Sequence, residues 1–329
     1  MISVILTHIN LIPGMQYLQA FMLPLFALLS GYLLPSSIPS WSSILTKKGL
    51  HLLTPYFLIG LISLLYWRLF LQNLPVFHEF FQPTSELVLA LLTGHDLVFN
   101  GPLWYLFELF LAFLWWRMTA GANRYTVGLG LIFLFSKYII SRLLDGQRMF
   151  APLPLSLYLV GYLHLGSFLK TKQAFLMRIP VWMTAIIFFV VVSFNGAVNL
   201  YALTLNNIFL FLIGSISGSL IVINLSMTLE KYLHIPVVRL CSYCGEHSLA
   251  LLTWHWPLLL TLNALLSIYG IFALFGGTSS LVHYNLPPHK DPLSLFIRFI
   301  FLILYLSWAV FGPLIIDFIL NKRKHLIRI

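Results

Sequence analysis

The sequence predicts an all-α bundle of transmembrane helices, and three observations support that prediction. Of the 329 residues, 60% are hydrophobic and 9% are charged, whereas a soluble chain carries about a quarter charged residues. The mean hydropathy is +0.92. Apolar stretches of about 20 residues, long enough to cross a bilayer, recur along the whole chain. We therefore predict one integral-membrane domain over residues 1–329, because no stretch is polar enough for a separate soluble domain.

The apolar runs predict about ten spans, the first of them short or truncated. The predicted spans are 1–10, 15–34, 50–71, 102–118, 126–143, 152–169, 179–194, 206–225, 248–275 and 293–320. The first run has no basic leader and no small-residue cleavage site, so it is not predicted to be a signal peptide.

Basic residues predict the orientation of the spans. They occur in five connections that lie on one side if ten spans alternate: Lys47 and Lys48; Arg117 and Arg124; Lys170, Lys172 and Arg178; Lys231 and Arg239; Lys322, Arg323, Lys324 and Arg328. The link that holds Asp145 and Arg148 is an exception. The positive-inside rule assigns the common side to the cytoplasm. We predict a multi-pass protein of the cytoplasmic (inner) membrane with both termini cytoplasmic, and no nucleic-acid partner despite the net charge of +10.

Two features within this pattern indicate function. The connection 72–101 is longer than most, and such connections are commonly functional or carry a short helix of their own. Prolines within spans, such as Pro55, Pro257 and Pro313, free backbone groups that neighbouring helices or water must satisfy. They predict kinked helices around an internal cavity.

His8 lies between two apolar runs and has two interpretations. As a packing residue, it would donate to a backbone carbonyl near the membrane interface. As a general base, a neutral imidazole would take a proton from a hydroxyl that attacks an acyl carbon. Spacing alone does not decide between them.

Five segments carry a resemblance to a known family. They are MLPLFALLSGYLLP at 22–35, TKKGLHLLTPYFL at 46–58, FNGPLWYLFELF at 99–110, LSLYLVGYLHLG at 155–166 and CGEHSLALLTWHWPLLL at 244–260. In this order they resemble membrane O-acyltransferases of acyltransferase family three, nearest the branch related to fucose 4-O-acetylases. The resemblance spans nearly the whole chain and implies the same all-α polytopic fold.

The resemblance implies an O-acyltransferase, and more specifically an O-acetyltransferase. It implies transfer of an acyl group from cytoplasmic acetyl-CoA, or another acyl-CoA, to a hydroxyl of a cell-surface glycan or lipid-linked sugar. The acyl-CoA would be a co-substrate, with no permanently bound cofactor and no metal. The implied partners are the bilayer, acyl-CoA and the acceptor. The resemblance leaves open whether the protein forms a homo-oligomer.

The resemblance also assigns roles on the cytoplasmic side. His8 occupies the place of the family's essential histidine at the end of the first span. Lys47, Lys48 and His51 lie at the cytoplasmic entrance of the predicted helix bundle, where they would hold the phosphates of coenzyme A. Ordinary positive-inside anchoring explains the same basic residues, and the two uses are compatible.

On the other side, Asn100, Trp104, Tyr105 and Glu108 would bind the acceptor substrate. An aromatic belt at the membrane interface also explains Trp104 and Tyr105, but it does not explain an intramembrane carboxylate, which is a functional candidate by default. An aromatic platform beside amide and carboxylate groups suits a sugar.

His255 matches the family's late histidine and would bind substrate by lining the acyl tunnel; packing against Trp254 and Trp256 is its alternative. We expect packing roles for His164 and Asp317. Cys241 and Cys244, near His234 and His247, fit no zinc-ligand spacing. They are expected to be reduced thiols.

One departure leaves alternatives open. Family members place a basic residue about ten residues before the essential histidine, a position that here would precede Met1. Seven helical residues before His8 cover only about 10 Å. Either the protein has an upstream segment, or this chain has a shortened first span and has lost activity. A transporter or flippase is the rival class, since kinked spans around a cavity also suit translocation.

Overall fold

The protein is represented by a computed structural model, which describes residues 4–6, 15–35, 37–80, 82–94, 97–120, 152–172, 179–198, 206–232, 234–269, 278–279, 284–285 and 292–326. His8 and the predicted span 126–143 lie outside the described residues.

Helices dominate the described chain. The α-helices are α1 (Met22–Tyr32), α2 (Gly49–Tyr66), α3 (Thr84–Thr93), α4 (Trp104–Thr119), α5 (Pro152–Thr171), α6 (Val181–Asn195), α7 (Ile208–Tyr232), α8 (Ile235–Glu246), α9 (Ser248–Ile268) and α10 (Pro292–Leu326), with one further helical turn at Trp41–Ser43. The 3-10 helices are Met15–Ala20, Pro75–Phe80 and Val98–Leu103. Two short strands, β1 (Thr278–Ser279) and β2 (Tyr284–Asn285), pair antiparallel.

The predicted helical fold is confirmed, and its apolar helices are compatible with a lipid bilayer. Within the described residues, five helical stretches are long and apolar enough to cross a bilayer: Trp41–Leu71, Thr84–Thr119, Ile208–Tyr232, Ser248–Ile268 and Arg298–Leu320. Tyr17–Tyr32 and Val181–Asn195 are apolar but shorter. The predicted number of about ten spans therefore stays a prediction.

The long connection 72–101 carries short helices of its own, one of the two alternatives that its length suggested. It contains the 3-10 helix Pro75–Phe80 and helix α3, and the 3-10 helix Val98–Leu103 begins near its end. Helix α3 ends at Gly94, whose φ of 73° is left-handed and whose N–H donates to the Ala90 carbonyl at 2.9 Å. Glycine adopts this conformation without steric strain, so it terminates the helix cleanly.

Helix α2 departs from α-helical geometry at both ends. The π-helical turns Ile44–Lys48 and Trp67–Leu71 flank it, and Pro55 lies inside it. Such π-turns are rare and occur frequently at functional sites. Pro257 and Pro313 likewise lie inside α9 and α10, as the sequence predicts.

The chain divides into two compact units. The first comprises Met1–Met15, Tyr56–Leu103 and His234–Ile329, and the second comprises Gln16–Pro55 and Trp104–Leu233. Each unit is built from segments that are distant in sequence. The prediction of one domain over residues 1–329 stays a prediction.

In the first unit, α9 packs against α10. Ile5, Leu259 and Tyr305 are fully buried in their shared core. The Tyr305 hydroxyl donates to Asn263 Oδ1 at 2.7 Å. Because that bond satisfies two buried polar groups at once, it fixes the register of the two helices.

In the second unit, α5 packs between α1 and α4, and α7 packs against α6 and α1. The rings of Phe21 and Phe188 meet edge to face at 5.5 Å, a favoured arrangement of aromatic side chains.

Candidate functional site

A candidate site in the first unit forms where the 3-10 segment Val98–Leu103 lies against α9. The Trp256 indole N–H donates to the Val98 carbonyl at 3.1 Å. A β carbon on Gly101 would lie 3.2 Å from the Trp256 ring. The glycine therefore allows the backbone of the segment to approach the indole closely.

Asn100 holds this segment in place. Its side chain is fully buried, and its Nδ2 donates to Ser63 Oγ at 3.0 Å and to the Thr253 carbonyl at 2.8 Å. Both amide protons are thereby used to join α2, the 3-10 segment and α9. Its Oδ1 is buried and accepts no hydrogen bond within the described part of the chain.

His255 lies on α9 two residues after Thr253 and is fully buried. Its Nδ1 is 2.7 Å from the Leu251 carbonyl oxygen. Since a carbonyl only accepts, Nδ1 must carry the proton, and the neutral ring then has its lone pair on Nε2. In this tautomer Nε2 is the acceptor nitrogen of the ring.

His8, the predicted base, cannot be placed relative to His255 because it lies outside the described residues. Ile5, three positions earlier in the sequence, is buried in the α9 and α10 core together with Leu259. The role of His8 stays a prediction.

The other predicted acceptor-binding residues belong to the second unit. Trp104 and Tyr105 are 8% and 3% exposed, and their rings meet edge to face at 5.9 Å. The aromatic-belt interpretation is therefore wrong for both, because belt residues face the membrane interface. Neither ring presents a free face to a sugar in this packing. Glu108, 1% exposed, is a buried carboxylate in an apolar helix, which is costly unless the group is paired or neutral.

The predicted coenzyme A residues also lie in the second unit. Lys47 and His51 are exposed, whereas Lys48 is half-buried with its Nζ 4.6 Å from the centre of the Phe113 ring. The π-turn Ile44–Lys48 packs against α4, and Arg117 near the end of α4 stacks over Trp41 at 5.1 Å. Arg117, which the sequence places on the same side as Lys47 and Lys48, is thus part of this basic region.

A chain of hydroxyl groups in the second unit was also not predicted. Tyr158 and Tyr162 are buried with their hydroxyls 3.0 Å apart, and the Tyr162 hydroxyl is 2.5 Å from Ser215 Oγ. The signal available in the sequence was a pair of tyrosines one helical turn apart in an apolar run.

The packing roles expected for His164 and Asp317 stay predictions. His164 is buried, with Nε2 2.6 Å from Thr119 Oγ1. Asp317 Oδ2 lies 3.3 Å from His247 Nε2, and the His247 ring stacks on Tyr243.

The cysteines of α8 are free thiols, with Cys241 exposed and Cys244 half-buried. Burial, and secondarily the neighbouring Cys241, raises the pKa of the Cys244 thiol. At neutral pH a smaller fraction of Cys244 than of an ordinary thiol is therefore the reactive thiolate.

Comparisons with known proteins find no matching family model, no match among curated proteins and no match among solved structures. The resemblance to acyltransferase family three therefore rests on the five quoted segments alone.

Proposed function

We propose that the protein is a membrane O-acyltransferase, and specifically an O-acetyltransferase. In this proposal it moves an acyl group from cytoplasmic acyl-CoA to a hydroxyl of a cell-surface glycan or lipid-linked sugar. The proposal includes about ten spans, a location in the cytoplasmic membrane and both termini on the cytoplasmic side.

The observation that supports the proposal most strongly is the contact between two of the resembling segments. Asn100 and Gly101 come from the segment 99–110, and Thr253 and Trp256 come from the segment 244–260. Two segments that carry a common resemblance are thus in contact, and the second of them also carries the buried His255. The apolar surroundings would exclude water and so limit hydrolysis of the thioester.

The proposed reaction uses groups of this chain. The His8 imidazole takes the proton from the acceptor hydroxyl as its oxygen attacks the thioester carbonyl carbon. The carbon–sulfur bond then breaks, and the coenzyme A thiolate leaves and takes up a proton. A relay of the acyl group by His8 is the alternative form of this step. His255 would contact the bound acyl group or acceptor through Nε2, and Lys47, Lys48 and His51 would bind the coenzyme A phosphates.

Acyl transfer by purified protein in lipid vesicles tests this function. Acetyl-CoA labelled in the acetyl group is supplied with an extracted glycan, and labelled glycan and free acetate are both measured. If His8 is the base, His8→Ala should reduce transfer by about 10² to 10⁴-fold. His234→Ala is the matched control, because His234 is exposed and its side chain does not cap α8.

The outcomes separate the parts of the proposal. Undiminished transfer by His8→Ala overturns His8 as the base but keeps the enzyme. Neither transfer nor thioester hydrolysis by folded wild-type protein overturns the enzyme and favours a catalytically inactive relative.

A transporter or flippase is the second candidate, favoured by Pro55 and Pro257 inside α2 and α9. Prolines in membrane helices are common where a substrate pathway opens. Movement of a labelled lipid-linked sugar across the vesicle membrane, without acyl transfer, would support this candidate instead.

A further inference from the structure

The second unit contains a cavity between α1, α5 and α7 with a volume of about 340 Å³, within the range of small-ligand sites. We refer to it as the α1–α5–α7 cavity. Its walls include Leu28, Leu29, Tyr32, Leu169, Ile223 and Met227.

The walls of this cavity are almost entirely apolar. Its polar lining residues are Tyr32 and Ser226, and the Ser226 hydroxyl donates to the carbonyl of Val222 at 2.6 Å. A polar ligand would find few partners there, so an apolar occupant is favoured. The cavity is also far too small for a helix, whose diameter with side chains is about 10–12 Å.

Positive charge lies at one end of the cavity. Lys170 follows Leu169 and donates from Nζ to the Leu34 carbonyl at 2.6 Å, just beyond the end of α1. Lys172 is exposed two residues later. Lys231 is exposed on α7 one turn after Met227 and therefore on the same side of that helix. Among the described residues that adjoin these lysines in sequence, the acidic one is Glu230, which precedes Lys231.

From the apolar walls and the lysines at one end, we propose that the α1–α5–α7 cavity binds one acyl chain of an anionic phospholipid. The chain fills the space between the three helices, and the lysines hold the phosphate of the headgroup. α7 belongs to a stretch able to cross a bilayer, and Ile223 and Met227, which line the cavity, are only half-buried. The bilayer therefore supplies the ligand directly. This proposal does not depend on the proposed acyl transfer.

Photolabelling of the full chain tests the site. The protein is reconstituted in vesicles of equal parts phosphatidylcholine and phosphatidylglycerol. In separate samples one of the two lipids carries a photoactivatable group at the end of an acyl chain. Adducts are mapped by mass spectrometry. We expect adducts on cavity-lining peptides of α1 and α7, with phosphatidylglycerol preferred over phosphatidylcholine.

Variants that fill the cavity provide the second arm. Leu29→Trp and Ile223→Trp should reduce labelling of the lining peptides by about tenfold, equivalent to about 1.4 kcal/mol of binding free energy. Leu225→Trp is the matched control, because Leu225 lies between the lining residues Ile223 and Met227 in sequence but does not line the cavity itself. Equal labelling of all three variants and the wild type overturns the proposal.

The role of the lysines and the origin of the bound acyl chain are tested on proteins whose cavity is unchanged. The double variant Lys172→Gln and Lys231→Gln should lower the preference for phosphatidylglycerol by about fivefold for each lysine. An unchanged preference overturns the headgroup assignment. Unlabelled phosphatidylglycerol should compete with the label in the wild type. Competition by long-chain acyl-CoA but not by phosphatidylglycerol overturns the phospholipid and makes the cavity a donor site.

Discussion

Gly31 of α1 and Gly166 of α5 form reciprocal contacts in the second unit. A β carbon on Gly31 would overlap the backbone of Leu163, and one on Gly166 would overlap the backbone of Leu28. Each glycine therefore lies directly against the main chain of the other helix. Small residues at such positions allow membrane helices to approach closely, which strengthens their van der Waals packing.

Gly31→Ala and Gly166→Ala should each destabilise the protein by about 1–3 kcal/mol, because the added methyl group must push two backbones apart. The midpoint of thermal unfolding in detergent, followed by tryptophan fluorescence, measures the effect. Gly245→Ala is the control, since its β carbon would meet no atom within 4 Å. A midpoint equal to that of the wild type in either α1 or α5 variant would contradict the close approach.

The helical membrane fold could be predicted because bilayer thickness sets the length of an apolar run. The close approach of α1 and α5 at Gly31 and Gly166 could not be predicted, because it depends on how both helices rotate about their axes. Asn100 and Thr253 are likewise separated by 153 positions, and no local pattern connects them. Composition also could not show that Trp104 and Tyr105 are buried, because aromatic residues suit both the membrane interface and the protein interior.

Asn100→Ala should destabilise the first unit by about 1–3 kcal/mol. The change removes the hydrogen bonds to Ser63 and to the Thr253 carbonyl, and it leaves that carbonyl short of a donor in a buried place. Asn73→Ala is the control, because Asn73 is exposed. Equal unfolding midpoints for the two variants would show that the Asn100 bonds do not hold the segment.

Alkylation of Cys244 should require a higher pH in the folded protein than in the denatured protein. Its raised pKa lowers the thiolate fraction at any given pH, and the thiolate is the reactive form. The rate of reaction with iodoacetamide, followed by peptide mapping over a range of pH, gives the midpoint in each state. Cys241→Ser should move the folded midpoint back toward the denatured one. A pH midpoint in the folded protein at or below that in the denatured protein would contradict the raised pKa of Cys244.

We expect the buried side-chain amide of Gln72 to lower the stability of the folded protein. It follows the π-turn Trp67–Leu71, its N–H donates to the Trp67 carbonyl at 2.8 Å, and its side chain is 1% exposed. Among the described residues, neither amide atom of Gln72 has a hydrogen-bond partner, and the same holds for Trp67 Nε1. An unsatisfied buried polar group costs about 1–3 kcal/mol.

Gln72→Met keeps the length of the side chain and removes the amide, so it should raise the free energy of unfolding by about that amount. Gln82→Met is the control, because Gln82 is only half-buried and should change stability by less than about 0.5 kcal/mol. Unfolding in detergent measures both variants. A lower stability of Gln72→Met would contradict this prediction and would indicate that the amide is hydrogen-bonded, for example to a buried water.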